Sequence, residues 1–297
     1  MRHGDRHRVI EIGASAGAAM VALLALRWLA GAAGLLRPAG PADGDGDLVA
    51  GQHTWLAYLP ALAVCAGAVA SGLLARRAAP ALSWRRAVVL AGAAAVTVLY
   101  GVVLLSWYGP AGPFGRFGLD LNGPLTQDAK RAFLLGTVLA APVGLALVLS
   151  RPLRANAAIT AGWVGLLVVW SRASGATGAP RLGVPEPPWP RLWWGSGPAS
   201  YLLLVPPLVL AVLVALRAAR AGQRRALVAL SGAAGPVLVL IAYRLGGPGT
   251  GDHVAQLLPY LVAHLAVPVG LAGSVLVALA VPRPAVPAPE AVGAATP

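Results

Sequence analysis

Charged residues are scarce in this sequence. They make up 11% of its 297 residues, whereas 58% are hydrophobic and the mean hydropathy is +0.73. A soluble domain carries roughly 25% charged residues, and a soluble chain of this composition would expose large apolar patches and aggregate. The shortage of charge therefore excludes an ordinary soluble protein and indicates a chain whose solvent is the lipid bilayer.

Cysteine and nucleotide-binding motifs are also scarce or missing. Cys65 is the only cysteine and lies in an apolar run, which excludes an intrachain disulfide, a CxxC redox pair and a cysteine metal cluster. The sequence contains neither G-x-x-x-x-G-K-[ST] nor H-E-x-x-H. The chain therefore does not hydrolyse nucleotides through a P-loop, and transport driven by ATP would need a separate ATPase subunit.

The basic residues follow the pattern of membrane topology. The formal net charge is +13, but of the 23 basic residues only Lys130 is a lysine, and most of them flank apolar runs. A nucleic-acid binder needs a basic face with interleaved aromatic residues, which the sequence does not offer. We therefore expect the bilayer, and no nucleic acid, among the partners. The composition is typical of GC-rich, actinobacterium-like bacteria, so we expect a multi-pass protein of their plasma membrane.

Eight apolar runs are long enough to cross a hydrocarbon core roughly 30 Å thick. Because lipid cannot satisfy backbone polar groups, each run is predicted to be helical. The predicted spans are 10–28, 54–75, 87–108, 132–150, 155–171, 199–216, 226–243 and 257–281. The expected fold class is an all-α polytopic membrane protein, followed by a disordered Pro- and Ala-rich tail over 282–297.

The distribution of charge predicts the orientation. The segments on the side of the two termini hold 14 of the 23 basic residues, and the other side holds 9 together with most of the acidic residues. Because cytoplasmic loops retain Lys and Arg, we expect both termini in the cytoplasm. Trp28, Trp55 and Trp170 fall at predicted outer helix ends, and Trp84 falls at an inner one. These residues are expected to form an interfacial aromatic belt.

The two halves of the chain resemble each other. Arg85-Arg86 and the apolar run after them match Arg224-Arg225 and theirs, and the sequence PVGLA occurs at 142–146 and at 268–272. The matches keep the same order in both halves. We therefore predict a tandem 4+4 duplication in which residues 1–150 and 151–281 each form a four-helix half. Since four is even, the halves would be parallel repeats.

A duplicated bundle of this kind resembles the haem A synthase architecture, in which paired histidines from the two halves hold haem. Ligation by two histidines needs two facing imidazoles, and His264 is the only histidine within a predicted span. The resemblance is limited to helix count. We therefore expect neither haem nor another cofactor, and no metal.

Any binding site is predicted on the outer side, between the halves. The loops after the third and seventh spans share a Gly-Pro…Asp pattern, which a pseudo-symmetric arrangement would bring to a common mouth. The candidate substrate-binding residues of this outer vestibule are Asp120, Asp252, His253, His53, Trp193 and Trp194. Alternatively, these loops are turns and interface anchors without a ligand.

The functional class that fits best is transport, either as a permease or as a permease-associated subunit. No Asp or Glu lies in the middle of a predicted span, which disfavours proton- or sodium-coupled transport. Two alternatives stay open. One is an accessory or assembly subunit of a membrane complex without its own active site. The other, less favoured, is a membrane enzyme acting on a lipid or isoprenoid substrate.

Overall fold

The computed structural model describes residues 3–32, 46–78, 82–107, 126–173, 181–184, 201–248 and 256–282. Every regular element within these residues is a helix. The helices are α1 (His3–Ala32), α2 (Gly46–Ala78), α3 (Trp84–Trp107), α4 (Thr126–Leu149), α5 (Arg151–Ala173), α6 (Val205–Arg220), α7 (Arg225–Ser231), α8 (Ala234–Gly246) and α9 (Leu257–Ala280).

Length and apolar composition decide which of these helices can cross a bilayer. Five of the described helices qualify through the stretches Val9–Ala30, Ala50–Arg77, Lys130–Leu149, Arg151–Ser171 and Leu257–Ala280. The pair α7 and α8 makes a sixth if it is one bent span. The prediction of an all-helical, multi-pass membrane protein is thus confirmed. The other two predicted spans coincide with the helices α3 and α6, and the count of eight stays a prediction.

The seventh predicted span is broken between α7 and α8, whose axes differ by 43°. Pro236 explains the break, because it has no N–H to donate to the Gly232 carbonyl and its ring crowds that oxygen. Side chains of other helices satisfy the backbone groups at the break. Gly235 donates its N–H to Asn156 Oδ1 at 2.9 Å, and Gly232 donates to Ser274 Oγ at 3.2 Å. The prediction of one continuous helix in this region is therefore wrong.

The helix α6 begins later than predicted, at Val205 instead of near residue 199. Pro206 lies in its first turn, where the N–H groups have no helical partner and proline is favoured. The preceding residues form a turn in which Leu204 N–H donates to Tyr201 O at 2.9 Å. At 16 residues, α6 is about 24 Å long, which is short for a complete crossing.

The central helix of the bundle is α2. The protein buries 72% of its most apolar stretch, against 22% to 39% in the other four candidate spans. It packs against α1, α3, α4 and α8. Small residues permit this close packing, since Gly136 of α4 lies against the backbone of Ala57 and Gly67 lies against Ala19 of α1. Such contacts are how helices associate in lipid, where the hydrophobic effect does not drive helices together.

The tryptophans of the predicted belt divide into two groups. Trp28 and Trp84 are 60% and 65% exposed, as expected for side chains at the interface. Trp55 is buried, and its ring packs edge-to-face on Tyr58 with 6.1 Å between the centroids. The belt assignment is therefore wrong for Trp55, because this part of α2 lies inside the bundle.

Candidate functional site

Most of the predicted outer vestibule lies outside the residues that the structure describes. Asp120, Trp193, Trp194, Asp252 and His253 all fall in undescribed segments. The vestibule therefore stays a prediction as a whole, and His53 is the member that the structure describes.

His53 lies half-buried in the N-terminal part of α2, the end predicted to be the outer one. Asp128, in the first turn of α4, interacts with it electrostatically. The neighbouring Thr54 accepts a hydrogen bond from Gln256 Nε2 at 3.3 Å. The ends of α2, α4 and α9 thus meet near His53, a position compatible with the predicted vestibule.

A different site is formed by an apolar cleft between α1 and α5. It consists of two cavities of about 340 and 280 Å³ that share Leu26, Leu62 and Ala161, so they form one groove. Residues of α1 and α5 form its walls, and α2 forms most of its floor. The remaining lining residues are Ala22, Ala25, Leu29, Ala30, Trp55, Tyr58, Leu59, Cys65, Ala66, Val69, Leu147, Arg154, Ala157, Ala158, Val164, Gly165, Val168, Val169 and Leu238.

The cleft is long, partly open to the outside of the bundle and lined mainly by aliphatic side chains. It follows α5 from Arg154 to Val169, a distance of about 22 Å at 1.5 Å per residue. This exceeds one leaflet of a hydrocarbon core roughly 30 Å thick. On α5 the facing residues include Ala158, Ala161 and Gly165, whose small size leaves the space open. A flexible hydrocarbon chain fits this shape better than a compact polar solute.

Arg154 supplies the charge among the residues that line the cleft. Its Nη1 atom is enclosed by the protein and has no hydrogen-bond partner among the described residues. Arg76 and Arg151 lie near enough to repel it electrostatically. Arg76 is held in place because its Nη2 donates to Val148 O at 2.8 Å, one of the carbonyls left free at the end of α4. One end of an apolar groove is thus strongly positive.

The opposite end of the cleft is aromatic. Trp55 and Tyr58 line it together, and both side chains are buried. The cleft therefore has distinct ends, one basic and one aromatic, joined by an aliphatic middle. This polarity is what an elongated amphiphile with one charged end would match.

Two polar residues of α1 that the sequence interpretation passed over connect α1 to α3. Glu11 is 6% exposed and forms an ion pair with Arg86 through both carboxylate oxygens. Ser15 Oγ donates to Leu90 O at 2.8 Å. The signal in the sequence was a lone acid inside the first apolar run. Because its oxygens are engaged by Arg86, Glu11 has a structural role in this arrangement.

Ser15 also stands in a Gly13-x-Ser15-x-Gly17 pattern, which is the spacing of a hydrolase nucleophile elbow. That motif requires a sharp strand-to-helix turn that exposes the hydroxyl group. Here the residues lie within the continuous helix α1, and the Ser15 hydroxyl is buried against the Leu90 carbonyl. The pattern therefore does not create a nucleophile.

His264 interacts within its own helix. Its Nδ1 lies 2.7 Å from Tyr260 O, and its ring packs on Tyr260 with 4.3 Å between the centroids. Its Nε2 is buried without a hydrogen-bond partner in the described part of the chain. The described residues of the chain include no group of three or more His, Cys, Asp or Glu that could hold a metal ion.

Comparison with known proteins gives this arrangement no precedent. No protein-family model, curated protein or solved structure matches the chain. The function is therefore inferred from the helices and from the cleft between α1 and α5.

Proposed function

We propose that this chain is a transport-type integral membrane protein, a permease or a permease-associated subunit, whose ligand is an amphiphile taken from the bilayer. The observation that carries the proposal is the cleft between α1 and α5. It is aliphatic along its middle, partly open along its length and charged at one end by Arg154. A ligand with a hydrocarbon chain and a polar end matches these three properties.

The proposed architecture has eight spans with both termini in the cytoplasm of a bacterial cell. The excess of arginine on the side of the termini supports this orientation. Arg76, Arg151 and Arg154 would then mark the cytoplasmic end of the cleft, and Trp55 its outer end. The partners would be the lipid bilayer and, if transport is driven, a separate ATPase subunit.

The packing of the helices supports two similar halves. In the first half, α1 packs on α2 and α3, α4 packs on α2 and α3, and α2 packs on α3. If α7 and α8 count as one span, the second half repeats the scheme. There, α5 packs on α6 and the bent span, α9 packs on both as well, and α6 packs on α7. A tandem duplication accounts for this correspondence.

The buried faces of α1 and α5 support the same duplication. Aligning Arg27 with Arg172 brings four buried residues of α1 opposite four buried residues of α5. The resulting pairs are Glu11 with Asn156, Ser15 with Thr160, Ala19 with Val164, and Leu23 with Val168. In both helices the two polar positions come first and the two apolar positions follow. Chance matches between common residues such as Ala and Gly do not explain this shared order.

Charge within the described spans argues against ion coupling. Glu11 is the buried acidic residue there, and it is paired with Arg86. Transporters driven by protons or sodium rely on acidic groups that can exchange their cation. A passive or partner-driven movement of an amphiphile needs no such group.

The proposal can be tested by measuring lipid movement in liposomes that contain the purified protein. A lipid with a fluorescent head group is incorporated in both leaflets, and dithionite then bleaches the label in the outer leaflet. Wild-type protein is expected to expose the inner-leaflet label to bleaching. The variant Gly165→Leu should slow this exchange, because a side chain at Gly165 enters open space in the cleft.

Gly162→Leu is the matched control. It lies on the same helix, its Cβ would also meet open space, and it is not among the cleft-lining residues. Exchange at the rate of protein-free liposomes would refute the transport proposal and leave the accessory-subunit alternative. Recovery of chemically altered lipid would favour the membrane enzyme. Equal slowing by both variants would show that the cleft is not the route.

A further inference from the structure

We propose that the cleft binds a lipid with an anionic head group, which Arg154 holds together with Arg76 and Arg151. This inference rests on the proposed function, in which the cleft binds an amphiphile. It adds that the head group of that amphiphile is negatively charged. The lipid chain would lie along α5, and its phosphate would lie at the first turn of that helix.

The positive charges at this end of the cleft favour the binding of an anion. Arg76 and Arg151 both repel the partly buried Arg154 guanidinium electrostatically, which is unfavourable unless a negative group lies nearby. The ion pairs formed within the described residues are Arg86 with Glu11 and Arg131 with Asp128, so neither of them neutralises this cluster. A phosphate would neutralise it directly.

Arg154 and Arg76 each have an N–H donor that the protein leaves without a partner. Arg154 Nη1 and Arg76 Nε are both enclosed by the protein, and neither has a hydrogen-bond partner in the described part of the chain. Arg76 Nη2 is fixed by the Val148 carbonyl at 2.8 Å. Arginine binds phosphate oxygens with paired N–H donors in a fixed geometry. Enclosed donors without partners are costly. Because Arg154 lines the cleft, a rotation of its guanidinium would bring its donors to a phosphate there.

Arg154 differs from an arginine that only sets topology. Arg77 lies next to Arg76 and is equally able to favour the cytoplasmic side, but it is exposed and does not line the cleft. Arg154, in contrast, continues directly into the apolar wall formed by Ala157, Ala158 and Ala161. Charge followed by a long aliphatic surface matches a lipid better than a free phosphate ion, which would gain nothing from that surface.

Native mass spectrometry of the purified full-length protein can measure the binding. The protein in mild detergent is titrated with phosphatidylglycerol and with phosphatidylcholine that carry the same acyl chains. We expect phosphatidylglycerol to bind more tightly. Arg154→Gln should weaken its binding about fivefold or more, as expected for one basic residue near an anionic head group. Arg77→Gln should change it less than twofold, roughly the effect of an exposed charge.

Further tests separate the effects of the charge, the paired donors and the lipid chains. Arg154→Lys should recover part of the affinity, because it restores the charge without the paired donors. Gly165→Leu should weaken binding while the arginines stay intact, which covers the case in which Arg154→Gln does not fold. Glycerol phosphate, which lacks the chains, should not displace the lipid.

Equal affinity for the two lipids, equal effects of Arg154→Gln and Arg77→Gln, or displacement by glycerol phosphate would each overturn the inference. If the transport proposal alone is wrong, the experiments give a different result. Selective binding of phosphatidylglycerol without lipid movement in liposomes would leave the binding site standing and refute the transport proposal.

Discussion

Replacing Glu11 with Gln should destabilise the protein because it removes one partner of an ion pair inside the bundle. The Glu11 side chain is 7% exposed and that of Arg86 is 27% exposed. Breaking a fully buried pair costs roughly 3–5 kcal/mol, and losing hydrogen bonds to a charged group costs about 1.5–3 kcal/mol. Since Arg86 retains some exposure and Gln can still accept one bond, we expect a loss of about 2–3 kcal/mol.

Thermal unfolding in mild detergent measures this effect, and Cys65 provides the signal. It is the single cysteine of the chain and is 5% exposed, so a thiol-reactive fluorescent dye labels it when the bundle opens. At about 2–4 °C per kcal/mol for a chain of 150–250 residues, Glu11→Gln should lower Tm by about 4–12 °C. Removal of both partners should cost less than the sum of the single changes, since the two residues are coupled.

The matched control is the exposed pair of Asp128 and Arg131, whose side chains are 67% and 73% exposed. Exposed pairs contribute about 0–1 kcal/mol, so Asp128→Asn should lower Tm by about 4 °C or less. If Glu11→Gln and Asp128→Asn shift Tm equally, or if the changes at Glu11 and Arg86 are additive, then the pair does not stabilise the packing of α1 on α3.

Three further outcomes are expected. Gly136→Leu should lower the stability of the protein by about 3 kcal/mol or more, because the new side chain collides with the backbone of α2. Gly92→Leu is the control, since a side chain at Gly92 faces open space. Similar Tm values for the two variants would contradict this expectation. In a Cys65→Ser background, a cysteine placed at Ala288 should react with an impermeant maleimide only after the cells are permeabilised, and labelling in intact cells would refute the cytoplasmic C-terminus. The purified protein should show no Soret band, and a band that disappears in His264→Ala would show a haem ligand.

The spans could be predicted from the sequence because each apolar run must form a helix in lipid. Their packing could not be predicted in the same way. Ala, Gly, Val and Leu dominate all of the runs, so composition did not show that α2 would be central. The exposed fractions of Trp28 and Trp55 differ for the same reason, although both lie at predicted outer helix ends.

Proline alone did not predict the break in the seventh span. Pro60, Pro142 and Pro268 lie inside helices that continue past them, whereas Pro236 follows a break. The difference lies in the partners, since Asn156 and other polar side chains from neighbouring helices bond the backbone at the break. Such partners come from distant parts of the chain, so the sequence near a proline does not identify them.

Arg154 illustrates the same limit at the site. In the sequence it is one of many arginines at a predicted cytoplasmic helix end, and its orientation into a cleft depends on how α1, α2 and α5 pack. The small residues after it, Ala157, Ala158 and Ala161, were the available signal. Small residues occur on every helix of this chain, so they did not distinguish a cleft from close packing.

If the chain is a tandem duplication, as proposed above, the cleft follows from an asymmetric packing of its two halves. Between the halves, α2 and α4 pack on α8, and α4 packs on α5. In a two-fold arrangement, α6 and α9 would pack on α3 in the same way, and α9 would pack on α1. None of these three pairs is among the principal contacts of the described helices. The pair α1 and α5 is likewise not among the principal contacts of the described helices, so the space between them stays open.

In the proposed duplication, Arg154 has no basic counterpart in the first half. In the alignment that pairs Arg27 with Arg172, the position of Arg154 corresponds to Val9, which is 57% exposed and apolar. A pair of equivalent sites would need a cation at both positions. A duplication would therefore account for the two walls of the cleft, whereas Arg154, with Arg76 and Arg151 near it, gives the cleft one charged end.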